Sequence, residues 1–499
     1  MPLILSLDVG TTGLKTILVN ETGNIIKSHS VEYGMIQEKT GMAEQRVSVW
    51  WEAVVASFQK ILNGIESTQV MAVGVSGQFQ SLIMLDAQYQ PLQNAILWCD
   101  HRGEIMLPEI TRQIGSDRLY EIAANPALSG STVSNLLWVR ENRPEIYERC
   151  AHIMLPHEYI RFRLTGECVT DVTSASSMQL LNVPERQWSE ELFDKLEVDR
   201  SLVGRLCECI EVVGETTKEI EELTGLPKGI PVIAGGGDSV VSSIGTGVIR
   251  EGSCFTSVGT SGIICTNTKK IKSDPRGRVN TYCSAVPDMW SVITCSISAG
   301  LALKWMKENF CEKEMELSET LGADAYELMD RLAEQAEVGA DGLIFLPYLM
   351  GDRTPHLNPE AKGMFFGITS RHKKKEFIRA VMEGVGYSLV EGICVLRELG
   401  AELDEFVLCG GGAKGNVWRK IIADIYGGNV ATVQNDSGSA IGAAVLAACG
   451  GGIYSNLQEA VDGMIKRNKE EIYSEKNHMK YMEYLEVYRQ LYERVQGLF

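Results

Sequence analysis

A carboxylate set directly after a run of glycines is the first feature of this chain that could do chemistry. In Gly235-Gly236-Gly237-Asp238-Ser239, an apolar segment, Pro231-Val232-Ile233-Ala234, runs into three glycines and one acid. The apolar segment predicts a buried strand, and residues 240–247 predict a helix of small side chains. Glycine has no Cβ to keep a ligand off the backbone, so such a strand end admits close approach. A single carboxylate placed there can accept a proton from a substrate hydroxyl. The bland reading is a tight turn whose acid caps the following helix. On these residues alone the cap is the simpler account.

Two other stretches offer hydrogen-bond donors to a phosphate. Val9-Gly10-Thr11-Thr12-Gly13 follows the apolar residues 3–8, and Val258-Gly259-Thr260-Ser261-Gly262 follows residues 253–257. After the first turn come strand patterns at 14–20 and 25–33, and after the second one at 263–266. Each turn therefore predicts a β-hairpin, not a strand entering a helix, and the chain contains no GxxxxGK[ST] loop. The backbone N–H groups and hydroxyls of such a turn can cradle phosphate. Asp8, just ahead of the first, could hold Mg²⁺ through water. One such turn is an ordinary hairpin. Its recurrence half a chain later indicates a duplicated domain, with two phosphate-binding hairpins facing each other across a cleft.

The elements that must position these groups read as α/β. A helix is expected at 48–63. A strand at 70–76 ends in Gly77-Gln78-Phe79-Gln80-Ser81, a second lies at 82–86, and a third at 95–102 ends in Asp100-His101-Arg102. Polar groups at strand ends suit the binding of sugar hydroxyls. Helices are expected at 135–142, 145–149 and 158–164, and residues 170–176 read as a polar loop or helix start. Later come a strand at 343–349 and a long helix at 373–399. A strand at 405–409 opens into Gly410-Gly411-Gly412-Ala413, and a helix follows at 417–426. That last unit could carry an adenosine against its backbone, and the small-residue helix beginning near 437 is expected to pack on it. Tyr481, Tyr484, Tyr488 and Tyr492 form a packing stripe on a terminal helix, 473–496. Gly245, Gly247 and Gly252, between the halves, could serve as a hinge.

The chain's 499 residues suffice for two domains. Its 44% hydrophobic and 22% charged content is that of an ordinary globular protein. A formal net charge of −18 argues against a nucleic-acid or anionic-membrane surface. No apolar run reaches the length of a membrane span, and the N-terminus enters a strand pattern with no basic leader. Thirteen cysteines, an odd number without a CxxC pair, imply reduced thiols, a cytoplasmic setting and no zinc site.

Taken together, these residues resemble the FGGY carbohydrate kinase family, within the actin/hexokinase-like ATPases, and its xylulokinase subgroup best. The resemblance rests on LDVGTTGLK at 7–15, AEQ…WW at 43–51, GGGD ending at Asp238, and SVGTSG at 257–262. To these it adds LPYLMGDRTPHLNPEAKGMFFGIT at 346–369 and GGGAKGNVWRKIIAD at 410–424. It implies two duplicated actin/hexokinase-like (ribonuclease H-like) domains flanking a central cleft. Residues 1–247 would hold the sugar and the catalytic acid, and residues 248–499 the nucleotide. By the same resemblance Asp238 is the catalytic base and Asp8 the residue near the metal. Gly10, Thr11, Thr12 and Lys15 belong to the first phosphate hairpin, and Gly259 and Thr260 to the second. Gly300, Gly411, Gly412, Ala413 and Asn416 lie on the nucleotide side. Phe79 and Gln80 fall where the family contacts sugar, and Gln78, Asp100 and Ser239 complete the expected sugar side. ATP and Mg²⁺ are the implied cofactors, a small sugar the partner, and a homodimer the assembly suggested by many relatives.

The departures concern the sugar. Xylulokinases carry Met-His where this chain has Phe79-Gln80, and Asn where it has Ser239, while glycerol kinases carry Arg-Glu at the first pair. The expected reaction is phosphorylation of D-xylulose to its 5-phosphate. Another ketose, a polyol or a sugar acid stays open as substrate, and so do a conformational ATPase of the actin or chaperone kind and a non-catalytic sugar sensor.

Overall fold

The computed structural model describes residues 1–435 and 437–499. Two α/β domains each build on a six-stranded mixed sheet. The first sheet comprises β1 (Leu3–Val9), β2 (Gly13–Asn20), β3 (Ile25–Glu32), β4 (Val70–Gly77), β5 (Val212–Glu215) and β6 (Pro231–Gly237), in the order β5-β6-β4-β1-β2-β3. The second comprises β7 (Ser253–Val258), β8 (Gly262–Thr268), β9 (Asn280–Cys283), β10 (Trp290–Ser296), β11 (Glu405–Cys409) and β12 (Val430–Thr432), in the order β9-β10-β8-β7-β11-β12. In each sheet an antiparallel hairpin strand pair and a third antiparallel strand adjoin two parallel strands. β1-β2 and β7-β8 occupy matching places, so the repeated Gly/Thr turn marks a repeated sheet. The alternating burial of β3 shows that it has one face in water, whereas β1 is buried on both faces and reads as a continuous apolar run.

Several elements differ from their sequence reading. Of their two readings, residues 170–176 are the helix start and not the polar loop. They lie in the Val169–Asp171 strand and the Val172–Met178 helix, and both elements are wholly buried. Their hydroxyls are satisfied locally, as Ser176 and Ser177 donate to the carbonyls of Thr173 and Ser174, so small polar residues fill a tight interior at little cost. The strand expected at 343–349 is shorter, Ile344–Leu346, and that at 95–102 stops at Ile96.

The small-residue helix Gly438–Gly450 does not rest chiefly on the Gly410–Ala413 unit. It packs against β1 and β4 of the first sheet and crosses the Asp238–Gly245 helix. A Cβ on Gly74 would lie 2.2 Å from the Ala443 carbonyl oxygen, and one on Gly442 would lie 2.2 Å from that of Val241. The glycine and alanine content of this helix is thus what lets two backbones meet. Gly245 takes part in the same crossing, where a Cβ on it would lie 2.2 Å from the Gly438 oxygen, while Gly247 and Gly252 have positive φ. The tyrosine stripe is packing surface as expected: Tyr481, Tyr488 and Tyr492 are buried against the Lys374–Glu398 helix and its surroundings. No described helix is long and apolar enough to cross a membrane.

Candidate active site

The parallel register brings three separate sequence motifs to one sheet edge. Val9 of β1 and Gly237 of β6 both pair with Gly77 of β4, so Asp8, Gln78 and Asp238 emerge side by side. Asp238 begins the Asp238–Gly245 helix. Its Oδ1 accepts the Ser239 N–H at 2.6 Å and the Ser239 hydroxyl at 3.1 Å. Its Oδ2 has no hydrogen-bond partner among the described residues. Burial and, next, the nearby Asp8 carboxylate push Asp238 up to about 7, against the opposing pull of the Ser239 donors. Asp8 is raised as well, by burial, with the Ser439 hydroxyl and the Lys15 ammonium acting in the other sense. Lys15 sits directly across the β1-β2 ladder from Asp8.

Asp8 Oδ1 is buried with no partner, as a carboxylate oxygen awaiting a cation would be. No cluster of three or more metal-ligating side chains occurs among the described residues. A Mg²⁺ ion here would therefore draw its remaining ligands from water and phosphate oxygens, which is its usual habit. The residues fit that role.

The first hairpin is knitted to the neighbouring strand end by Gln78. Its amide donates to the Gly10 carbonyl at 3.4 Å, and its Oε1 accepts from Thr11 and Ser81. Tyr33 donates to the same Gly10 carbonyl at 2.7 Å. Phe79 packs against Gly237: a Cβ there would come within 1.4 Å of the ring, so only glycine fits. The same ring meets Tyr282 of the second domain, centroids 5.4 Å apart. Gln80 has φ of 63°, and its side chain has no hydrogen-bond partner among the described residues. Asp100 is committed elsewhere. Both its oxygens take bonds from the Arg102 guanidinium, and Oδ2 also accepts the Ala43 N–H at 2.6 Å. It holds the loop that carries Trp98, whose indole N–H reaches the Thr11 hydroxyl at 2.9 Å.

The second hairpin opens on a cavity of about 700 Å³. Gly259, Thr260, Gly300, Gly411, Gly412 and Asn416 all line it. Gly10, Thr11, Thr12 and Lys15 do not, because they belong to the first hairpin. Gly300 starts the Gly300–Phe310 helix, and its N–H donates to the Gly259 carbonyl at 2.8 Å. A Cβ on it would lie 2.3 Å from that carbonyl. The Gly410–Ala413 stretch is a short 3₁₀ turn over Gly411–Lys414, not an open loop. Gly411 has nothing within 4 Å of a built Cβ, so a ligand can approach its backbone. Ala413 is buried behind the cavity wall, its carbonyl held by Arg419.

The sequence profile of the FGGY family of carbohydrate kinases, N-terminal domain, matches residues 3–245, and that of its C-terminal domain matches residues 254–450. The chain belongs to the FGGY family of carbohydrate kinases. Among its relatives, the xylulose kinase of Bacillus subtilis is 32% identical over 500 residues, covering 100% of this chain and 98% of that protein. The structure of ligand-bound xylulose kinase from Lactobacillus acidophilus superposes with a TM-score of 0.91 at 26% identity, over 99% of each chain. The gluconate kinase of the same organism gives 0.91 and 26% as well, over 99% of this chain and 98% of that one.

This FGGY kinase has site features that its sequence did not disclose. Beneath the glycine run lies a buried polar network. Asp171 pairs with Arg161 at 3.1 Å and accepts from Ser174 and Thr173. Thr173 Oγ1 in turn accepts the Gly237 N–H at 3.0 Å. Asp171 is held below its ordinary range by His157 and Arg161 despite its burial. Its signal was the capping pattern Asp171-x-x-Ser174, which reads as a helix start. Trp98 and the acidic residue Asp330 in the wall of the 700 Å³ cavity had no such signal, because tertiary packing alone brings them to the site.

Proposed function

We propose that this FGGY kinase transfers the γ-phosphoryl group of ATP to a hydroxyl of a ketopentose, with D-xylulose the leading candidate and Asp238 as general base. The observation that carries the reading is Asp238 itself: a carboxylate at a glycine-lined strand end, poised near pH 7 by burial and by Asp8. A base is most effective when its pKa lies near the working pH. The sugar hydroxyl would sit by the free Oδ2, which takes its proton as the hydroxyl oxygen attacks phosphorus. The hairpin N–H groups of Thr11, Thr12, Thr260 and Ser261 would steady the charge on the phosphoryl oxygens, while those of Gly10 and Gly259 close the turns on the Gly13 and Ser261 carbonyls. A Mg²⁺ ion at Asp8 would neutralise phosphate charge. The nucleotide would lie in the second-domain cavity against Gly411, Gly412 and Asn416. Residues 1–247 would then bind sugar and residues 248–499 nucleotide, with the Gly438–Gly450 helix reaching back to the first sheet.

Xylulose kinases from several organisms are 30–33% identical over nearly the whole chain, which favours a ketopentose, while a gluconokinase is 30% identical over 89% of it. Gluconate kinases match as well in structure. Gln80 and Ser239 stand where xylulokinases differ, so a sugar acid is the second reading. The test is ADP release with Mg-ATP across D-xylulose, L-xylulose, D-ribulose, L-ribulose, gluconate, erythritol and glycerol. D-Xylulose is expected to give the highest kcat/KM. A higher value for gluconate would transfer the assignment to the sugar acid. Asp238→Asn is expected to lose about 10²–10⁴-fold in kcat with little change in sugar affinity, and a fully active variant would remove Asp238 from the chemistry.

A further inference from the structure

The Phe79 ring is nearly buried and meets neighbours from both domains. One is Gly237, directly before Asp238, where no side chain fits beside the ring. The other is Tyr282 on β9, the edge strand of the second sheet. The Tyr282 hydroxyl has no hydrogen-bond partner among the described residues, so this contact is made by the ring. β9 is held by the first domain, which caps its free edge. Asn125 accepts the Thr281 N–H at 2.9 Å and donates to the Thr281 carbonyl at 2.7 Å, and the Ser176 hydroxyl accepts the Cys283 N–H at 3.2 Å. Ser176 lies on the Val172–Met178 helix, whose Thr173 accepts the Gly237 N–H at 3.0 Å. One helix thus anchors both neighbours of the ring, Gly237 directly and Tyr282 through its strand.

Phe79 in turn carries Gln80. The Ser81 N–H donates back to the Phe79 carbonyl at 2.7 Å, and Gln80, with φ of 63°, is the tip of this three-residue turn. The Thr132 hydroxyl holds the Gln80 carbonyl at 3.1 Å. In so tight a turn the ring and Gln80 move together. We infer that Tyr282 is a positioning residue that sets the length of the acceptor: by backing the Phe79 ring against Gly237, it fixes the span between Gln80 and Asp238. The inference rests on the proposed reading of Asp238 as the base and Gln80 as a sugar contact. Without the Tyr282 ring, Phe79 can move off Gly237 toward the second domain, and the span lengthens.

The test compares kcat/KM for D-xylulose with that for D-fructose, a ketose one carbon longer, in the full-length enzyme. In Tyr282→Leu the D-xylulose/D-fructose ratio is expected to fall about tenfold or more, the effect of one carbon in a shaped pocket. Tyr282→Phe keeps the ring and is expected to keep the wild-type ratio. A purely structural role would lower both sugars alike and leave the ratio where it was. Phe79→Leu removes the other half of the contact, is expected to lower the same ratio, and serves if Tyr282→Leu does not fold. The double variant is expected to fall no further than either single one, because both act through one contact. An unchanged ratio in the leucine variants, or an equal fall in Tyr282→Phe, would overturn this inference alone. If wild type prefers gluconate, the ketopentose reading fails, and xylonate against gluconate makes the same comparison of length. A fully active Asp238→Asn would strike the base reading first.

Discussion

Burial and, next, the Asp8 carboxylate beside it oppose the ionisation of Asp238, and burial raises Asp8 as well. The Asp238 pKa of about 7 has two consequences that can be measured. Catalysis needs the ionised form, so kcat/KM is expected to fall about tenfold per pH unit below pH 7 and to level off above it. A pH profile with the optimal sugar checks this, and a flat profile from pH 5 to 8 would rule out Asp238 as the titrating base. The stability consequence has the opposite sign. The folded state holds this proton up to about pH 7, whereas an unfolded aspartate releases it near 3.8. The stability it contributes is therefore full below the unfolded value and is lost as pH rises through the folded one. Asp238→Asn mimics the protonated acid. Its melting temperature is expected to match wild type at pH 4 and to exceed it increasingly toward pH 8. Asp238 was legible in the sequence because strand, glycines and acid are contiguous. Asp100 shows the limit of such reading: its chemistry suits a sugar, yet Arg102 and the Ala43 N–H already occupy it.

At the level of elements, Asp238 is held from beneath. Thr173 accepts the Gly237 N–H and donates to Asp171, itself anchored by Arg161. The residue before Asp238 is thus tied to the Val172–Met178 helix through one hydroxyl. Thr173→Val keeps the shape and removes that hydroxyl, leaving a buried N–H and a carboxylate oxygen short of a partner. The expected cost is about 1–3 kcal/mol in stability, read by denaturant unfolding. A fall in kcat larger than any rise in sugar KM is also expected, since a misplaced base harms the reaction more than binding. Equal kcat in the variant would show that β6 positions Asp238 unaided. The Asp171 cap was legible as a helix start, but its burial beneath the glycine run was not, because 170–176 is polar by composition and polar segments are usually solvated. What decided its burial was the supply of local carbonyls for its hydroxyls. The β1-β2 and β7-β8 hairpins were legible because a strand's apolar run and a Gly/Thr turn are both local signals. The partners of the Gly438–Gly450 helix were not, because its glycines and alanines fit any close backbone and do not name one.

For the whole molecule, that helix is the link that matters. It follows β12 of the second sheet yet lies on β1 and β4 of the first. Ser6 donates to its Ala440 carbonyl at 2.7 Å, and Ser439 at its start faces Asp8. The helix headed by Asp238 crosses it at Gly245 and Gly442, with backbone touching backbone. A rotation of one domain against the other that moves this crossing would carry Asp238 with it and couple it mechanically to the second domain. A kinase needs such coupling, because water competes with the sugar hydroxyl whenever the site is open. Small-angle scattering is expected to show a smaller radius of gyration with D-xylulose and a non-hydrolysable ATP analogue together than with neither. Gly442→Val would force side-chain atoms against the Val241 carbonyl and hold the crossing apart, at an overpacking cost of about 1–3 kcal/mol. That variant is expected to lose the compaction and to hydrolyse more ATP per sugar phosphorylated. Compaction in wild type with an unchanged coupling ratio in Gly442→Val would place the moving joint elsewhere, at the positive-φ positions Gly247 and Gly252.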